Sequence, residues 1–344
     1  MSRAKGAAGM QAQDMVLNLF YQEPDPDRWL PWDRYPRRLV RRLLRGRPRP
    51  GGQERVFLNL CAGLREIGIA FRVNDFRHAR EHPRELACII GKPWLLDIMP
   101  WRNPILFGAA VFSHPSDDPD LFERRPVRRV LVPGPWMQRM CEPYWGSRVQ
   151  AWPVGIDTAR WTPLAAAPKD TDLLLYDKVR WERGQLEPDL LAPIKASMRA
   201  QGTSFIELRY GHYRERDFQQ ALARCRGMVF VCEHETQGIA YQQALSSGVP
   251  VLAWDRGGPW QDPTYYPHRV VYEPVTSVPY WDDRCGLRFR DIEAFPACLE
   301  RFMGGLAAKR FDPRSYVLEE LTLAARAREY ASIAAAVQRE SDLG

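Results

Sequence analysis

The chain is built on short, wholly apolar runs separated by stretches with helical spacing. In the second half, "TDLLLYD", "SFIELRYG", "GMVFVCE" and "VPVLAWD" read as strands, with "DFQQALARC" and "YQQALSSG" reading as helices between them. Continuous apolar runs of this length, rather than alternating ones, fit strands covered on both faces, as in a parallel sheet. The first half repeats the plan with "MVLNLFY", "IAFRVND", "LACIIG", "ILFGAAVFSHP" and "RRVLVPG". Between the first two lies "QERVFLNLCAGLREIG", where Val56, Leu60, Leu64 and Ile67 recur at helical spacing and Gly68 suits the stop. Strand, helix, strand points to βαβ units. "WPVGIDTARWTPLAAAPKD" reads as the connection between halves. The expected fold class is therefore α/β, with two Rossmann-like domains facing across a cleft, residues 1–157 and 158–311. A terminal helical segment, residues 312–344, opens with Asp312–Pro313. It carries a stripe of Leu323, Ala327, Tyr330, Ala334 and Val337, and is expected to pack back on the first domain. In such sheets ligands sit at the carboxyl ends of the strands.

Composition narrows the classes. With 344 residues, 45% of them hydrophobic, the chain can bury two ordinary cores. No apolar run is long enough to cross a bilayer, and the N-terminus lacks an apolar signal core, so a cytoplasmic protein is expected. Seven cysteines without a C-x-x-C pair fit reduced thiols rather than a zinc site or a disulfide frame. The net charge of +7 is matched by the seven arginines of "RRLVRRLLRGRPR", Arg37 to Arg49. A single basic patch argues against a general nucleic-acid binder. On a helix, Leu39, Val40, Leu43 and Leu44 would share a face ringed by arginines, which suits peripheral contact with an anionic membrane or, equally, a solvated helix face.

Chemistry concentrates in "EHETQGIAYQQALSSGVPVLAWDRGG", Glu233 to Gly258. A strand ends in carboxylates, Thr236-Gln237-Gly238 makes a turn, and a helix follows. Backbone N–H groups at such a start bind anionic oxygens, and Gly238 allows close backbone approach. Glu235 would repel a phosphate, so it suits sugar hydroxyls as an acceptor; the other reading is a cap for the following helix. Gln243, eight positions on, can accept from a ribose hydroxyl without charge, or serve the structure alone.

This stretch resembles the acidic motif of the family-4 group of retaining glycosyltransferases, which have two facing Rossmann-like domains (the GT-B architecture). That motif has two glutamates eight positions apart around a glycine turn; here they fall on Glu235 and Gln243. Three further stretches agree in order. "GGQERVFLNLCAGLREIG" resembles the glycine loop and first helix, with Gly51 and Gly52. "WPVGIDTARWTP" resembles the interdomain signature. "LYDKVRWERG" resembles the segment that supplies two cations, here Lys178 and Arg183, with Asp177 where a glycine is usual. His114 in "VFSHPS" falls where the family often has a histidine beside the reacting sugar; a buried structural histidine is the other reading. Lys178 and Arg183 could otherwise be solvated charges.

The resemblance implies a glycosyltransferase moving a sugar from a nucleotide-sugar donor to a glycan or lipid-linked acceptor, with retention. It assigns His114 and Glu235 to catalysis. Gly51, Gly52, Lys178, Arg183, Thr236, Gln237, Gly238 and Gln243 are assigned to the donor. No cofactor and no metal are expected, because cations and backbone amides would meet the departing diphosphate. The D-x-D patterns in "SDDPD" and "EPDPD" flank prolines and are not taken as metal ligands. Two rivals remain: a nucleotide-sugar or glycan binding protein without turnover, motivated by Gln243 and Asp177, and a nucleotide-sugar epimerase on the same architecture.

Overall fold

The computed structural model describes residues 16–24, 51–109, 112–164 and 169–343. The arginine run 37–49 and part of "EPDPD" lie outside them. The chain divides into two compact units. Unit 1 comprises residues up to Val132, Cys141–Val154 and Arg326 onward; unit 2 comprises Pro133–Met140 and Gly155–Ala325. Residues 312–325 thus belong with unit 2, and the terminal helix joins unit 1 only from Arg326.

Unit 1 holds β1 (Leu17–Phe20), α1 (Gly52–Glu66), β2 (Phe71–Val73), α2 (Phe76–Glu81), β3 (Ala87–Ile89), β4 (Ile105–Phe107), α3 (Leu121–Arg124) and β5 (Val127–Val132). Helix α4 (Pro135–Trp145) starts in unit 2 and ends in unit 1, before β6 (Val149–Ala151). The six strands form one parallel sheet in the order β2-β1-β3-β4-β5-β6. β1, β3 and β4 are buried throughout, which is why their sequences are apolar without alternation.

Unit 2 holds β7 (Thr171–Asp177), α5 (Arg183–Leu186), α6 (Ala192–Ala200), β8 (Phe205–Arg209), α7 (Glu215–Arg224), β9 (Cys225–Val231), α8 (Ile239–Ser246), β10 (Val251–Trp254), β11 (Gly286–Phe289), α9 (Phe295–Ala307) and α10 (Pro313–Glu320). Helix α11 (Leu323–Leu343) closes the chain. The five strands form a second parallel sheet, β11-β10-β9-β7-β8. β7 lies inside this sheet, and Leu173, Leu174 and Leu175 are fully buried. Each contributes about 1.5–3 kcal/mol. The edge strand β8 exposes Glu207 and Arg209.

The part of the "WPVGID" signature from Gly155 onward forms a tight backbone junction inside unit 2. Ile156 N donates to Leu321 O at 2.8 Å, and Ile156 bridges Thr322. A Cβ on Gly155 would meet Leu323 Cα and Thr322 O at 2.6 Å, so only glycine fits that approach. Trp161 closes the turn. Its carbonyl accepts from Ser246 Oγ on α8 at 2.6 Å and from Arg314 on α10 at 3.1 Å.

All seven cysteines are free and six are buried. Among the described residues no helix is long and apolar enough to cross a membrane. Of the expected stripe on α11, Ala327, Tyr330, Ala334 and Val337 are buried, with Trp152 edge-on to Tyr330 at 4.9 Å, while Leu323 is half-buried and belongs with unit 2.

Candidate functional site

The second sheet reverses its strand order at β7, which pairs β8 on one side and β9 on the other. The carboxyl ends at such a reversal are where open α/β sheets take ligands. β7 ends at Asp177 and β9 at Val231. Lys178 N donates to Val231 O at 2.8 Å, so the two chains leave the sheet side by side.

From these ends come the chemical groups. Lys178 Nζ makes an ion pair and hydrogen bond with Glu235 Oε1 and lies 4.6 Å from the centre of the Tyr210 ring. Burial opposes the Lys178 charge, but Glu235 outweighs it, and the ammonium pKa ends above its ordinary value. Glu233 turns back: its Oε1 accepts the backbone N–H groups of Arg180 at 2.8 Å and Trp181 at 2.9 Å. Its buried Oε2 has no hydrogen-bond partner among the described residues.

His234 is 2% exposed, with its ring centre 4.9 Å from that of Trp181 and 5.6 Å from that of Trp136. Neither ring nitrogen has a hydrogen-bond partner among the described residues. Burial first, then the charges of Arg180, Arg256 and Lys178, push its pKa down to about 3. It is a neutral imidazole at physiological pH. Arg180 donates to His234 O at 2.8 Å and lies 4.2 Å over the Trp181 ring. Arg256, two residues beyond β10, is half-buried and makes no ion pair or hydrogen bond among the described residues. Burial lowers its pKa. Glu182 and Glu233 are close enough to favour its charge but neither bonds to it, so the guanidinium keeps its donors for a ligand anion.

Glu235 does not cap the following helix. The N-cap of α8 is Gly238, at φ 84°, with no side-chain cap. A Cβ there would come within 2.0 Å of the Tyr241 ring, so both conformation and contact require glycine. The turn is held from several sides. Glu235 N donates to Thr276 O at 3.0 Å, Trp136 Nε1 donates to Glu235 O at 2.6 Å, and Gln237 Nε2 donates to Gln242 Oε1 at 3.2 Å. The Gln237 side chain is thus engaged within the loop, and Thr236 is partly exposed. Gln243 is 8% exposed; its side-chain amide has no hydrogen bond among the described residues.

Arg183 stands otherwise than the sequence pattern suggests. Its guanidinium forks onto the fully buried Asp177, at 3.2 and 2.6 Å, and also reaches Glu187 at 2.9 Å. Asp177, where the resembled family has glycine, therefore competes for the cation that an anion would use. In unit 1, Gly51 is the N-cap of α1 and its carbonyl accepts from Arg55 N at 2.9 Å; neither Gly51 nor Gly52 has an atom within 4 Å of where a Cβ would stand. His114 is 2% exposed and caps the turn that follows it. Its Nδ1 accepts from Ser116 N at 3.1 Å and lies 2.8 Å from Ser116 Oγ, and Tyr144 packs edge-on at 4.9 Å. Asp118 of "SDDPD" is tied by ion pairs to Arg124 and Arg125.

The structure thus joins Lys178 to Glu235 and leaves Arg183 with its own acids. Sequence reasoning overlooked Arg180, Arg256, His234, Trp136 and Trp181. A usable signal was present: Arg180 and Arg256 each stand within three residues of a strand's carboxyl end in this sheet.

No family model matches the chain, and no curated protein matches it. Solved structures do. It is similar to the lipopolysaccharide outer core galactosyltransferase WaaB, with 12% identity, a TM-score of 0.52, and coverage of 93% of this chain and 99% of that one. It is similar to sucrose-phosphate synthase from Thermosynechococcus elongatus, with 13% identity, a TM-score of 0.52, and coverage of 82% and 92%. It is also similar to TarM of S. aureus, solved with UDP, with 11% identity, a TM-score of 0.52, and coverage of 72% and 55%. The chain spans 54% of the chain it matches in the accessory secretory protein 1,2 and 3 structure of Streptococcus pneumoniae and 58% of that in the GtfA/B complex. At these identities the likeness concerns the fold, and it agrees with the two parallel sheets: this chain has the α/β fold of the GT-B glycosyltransferases.

Proposed function

We propose that this protein is a glycosyltransferase, of retaining family-4 type, that takes a sugar from a nucleotide-sugar and passes it to a glycan or lipid-linked acceptor. The observation that carries the reading is the Lys178–Glu235 pair at the β7/β9 reversal, with Arg180 and Arg256 beside it. Breaking the bond between the anomeric carbon and the diphosphate puts negative charge on the leaving oxygen. Lys178, Arg180 and Arg256 would stabilise that charge, with the backbone at Gly51, Gly52 and the Thr236–Gly238 turn as donors. Arg183 would contribute only as far as Asp177 releases it. Glu235 would accept from the sugar hydroxyls while orienting Lys178, and Gln243 would accept from the ribose. His114 is assigned to the sugar on the family resemblance. The proposed step needs no metal and no protein nucleophile: the leaving phosphate takes the acceptor's proton. We place the protein in the cytoplasm, with the arginine run 37–49 as a membrane-facing patch.

The alternative is a binding protein without turnover. The Asp177–Arg183 fork favours it, because it withdraws one cation from the donor. An epimerase on the same fold is a third reading. Incubation with a panel of nucleotide-sugars, with and without glycan or lipid acceptors, separates them. Acceptor-dependent release of free nucleoside diphosphate supports the transferase. Binding without release supports the alternative, and acceptor-independent conversion of the sugar supports the epimerase.

A further inference from the structure

Outside the residues assigned to the donor, unit 1 gathers a second set of ligating groups. His78, His82 and Glu85 each offer one ligand atom, and these atoms lie within 4.8 Å of one another. The sequence "HAREHPRE" supplies them at H-x3-H-x2-E spacing, at the end of α2 and in the loop into β3. A four-residue step on a helix puts both imidazoles on one face, and the rings stack at 3.9 Å with 18° between their planes.

The hydrogen bonds leave the donor atoms ready. His82 Nδ1 lies 3.0 Å from His78 O. A carbonyl can only accept, so Nδ1 carries the proton and Nε2 keeps its lone pair. Nε2 has no partner among the described residues. His78 Nε2 meets Glu85 Oε2 at 2.8 Å, and Asn18 donates to the same oxygen at 3.0 Å. Glu85 Oε1 has no partner among the described residues. The loop that carries these groups is fixed by side chains from elsewhere in the unit. Asn103 donates to His82 O and Glu85 O, each at 2.9 Å; Gln338 accepts from Leu86 N at 2.7 Å and donates to Arg84 O at 3.0 Å. Ligands held on a backbone pinned at several points lose little freedom when an ion arrives.

We propose that His78, His82 and Glu85 bind one zinc ion, with water completing a tetrahedron. Two imidazoles and one carboxylate form a borderline-soft N2O set that suits zinc and not magnesium. At usual zinc bond lengths the ligand atoms stand roughly 3.4 Å apart, so the His78–Glu85 contact opens slightly and His82 Nε2 closes in. On binding, the His78 proton moves to Nδ1. Arg72, 3.9 Å from Glu85 Oε2, offsets part of the carboxylate charge, so the affinity is modest. The ion would clamp the end of α2 to the loop before β3.

The test is calorimetric titration of ZnCl2 into the full-length, tag-free, chelator-treated protein at pH 7.5. The expected result is one site per chain, weakened by roughly tenfold or more in His82→Ala and Glu85→Gln, with zinc raising the Tm of the unsubstituted protein only. MgCl2 should give no heat. His82 is exposed, so His82→Ala leaves the fold intact. Absence of stoichiometric zinc binding would overturn the proposal, as would equal affinity in both variants, which would move the ion to other groups such as the thiols.

Discussion

At the scale of single residues, charge and burial decide the account. Arg256 is half-buried and makes no ion pair or hydrogen bond among the described residues, whereas Arg183 is bound to Asp177 and Glu187. Arg183→Ala should therefore weaken nucleoside diphosphate binding less than Lys178→Ala does, when the two affinities are compared in one titration series. Asp177→Asn should lower stability by about 1–3 kcal/mol in urea unfolding, since it removes a buried charged acceptor. The same change should tighten diphosphate binding severalfold by freeing Arg183. His234 gives a pH signature. Its folded pKa near 3 lies below the unfolded value of 6.5, so the unfolded chain binds more protons between these values. Stability from this group is complete above pH 6.5 and falls as the pH drops toward 3, by on the order of a few kcal/mol. His234→Phe should flatten that part of the acid unfolding curve; an unchanged curve would contradict a buried neutral imidazole.

At the scale of elements, the turn between β9 and α8 sets the geometry of the site. Gly238→Ala forces a side chain into the Tyr241 ring at positive φ. It should cost on the order of 1–3 kcal/mol, read by chemical unfolding, and weaken ligand binding by displacing Glu235. Trp136→Phe removes the hydrogen bond to Glu235 O and leaves part of a buried ring site empty, and should cost on the order of 2–4 kcal/mol. Much of this layer was readable in the sequence. β7, β9 and β10 are apolar throughout because both faces are covered, and Gly155 and Gly238 stand where no Cβ fits. The bond from Trp136 to Glu235 was not readable, because it joins residues 99 positions apart and carries no local pattern. Glu235 read equally well as a helix cap; that reading falls only in space, where Gly238 is the N-cap and no side chain caps α8. The surroundings of Arg183 were hidden for a similar reason. Its spacing from Lys178 matches the family, but its partner Asp177 acts through side-chain geometry that spacing does not encode.

At the scale of the whole molecule, two parallel sheets were legible from the alternation of apolar runs and helices, but not the strand order within them. The proposed ligand class came only through the resemblance. Likeness to WaaB and sucrose-phosphate synthase concerns the fold, while the proposed chemistry rests on side chains at the carboxyl ends of β7, β9 and β10. The most direct test of that chemistry is calorimetric titration of UDP, GDP and ADP into the full chain and into Lys178→Ala and Arg256→Ala. The account expects at least one nucleoside diphosphate to bind, with each substitution weakening it by roughly tenfold or more, the effect of losing a charge-assisted hydrogen bond. If none binds, or if the bound one holds equally well in both variants, the β7/β9 reversal is not a diphosphate site and the transferase reading fails.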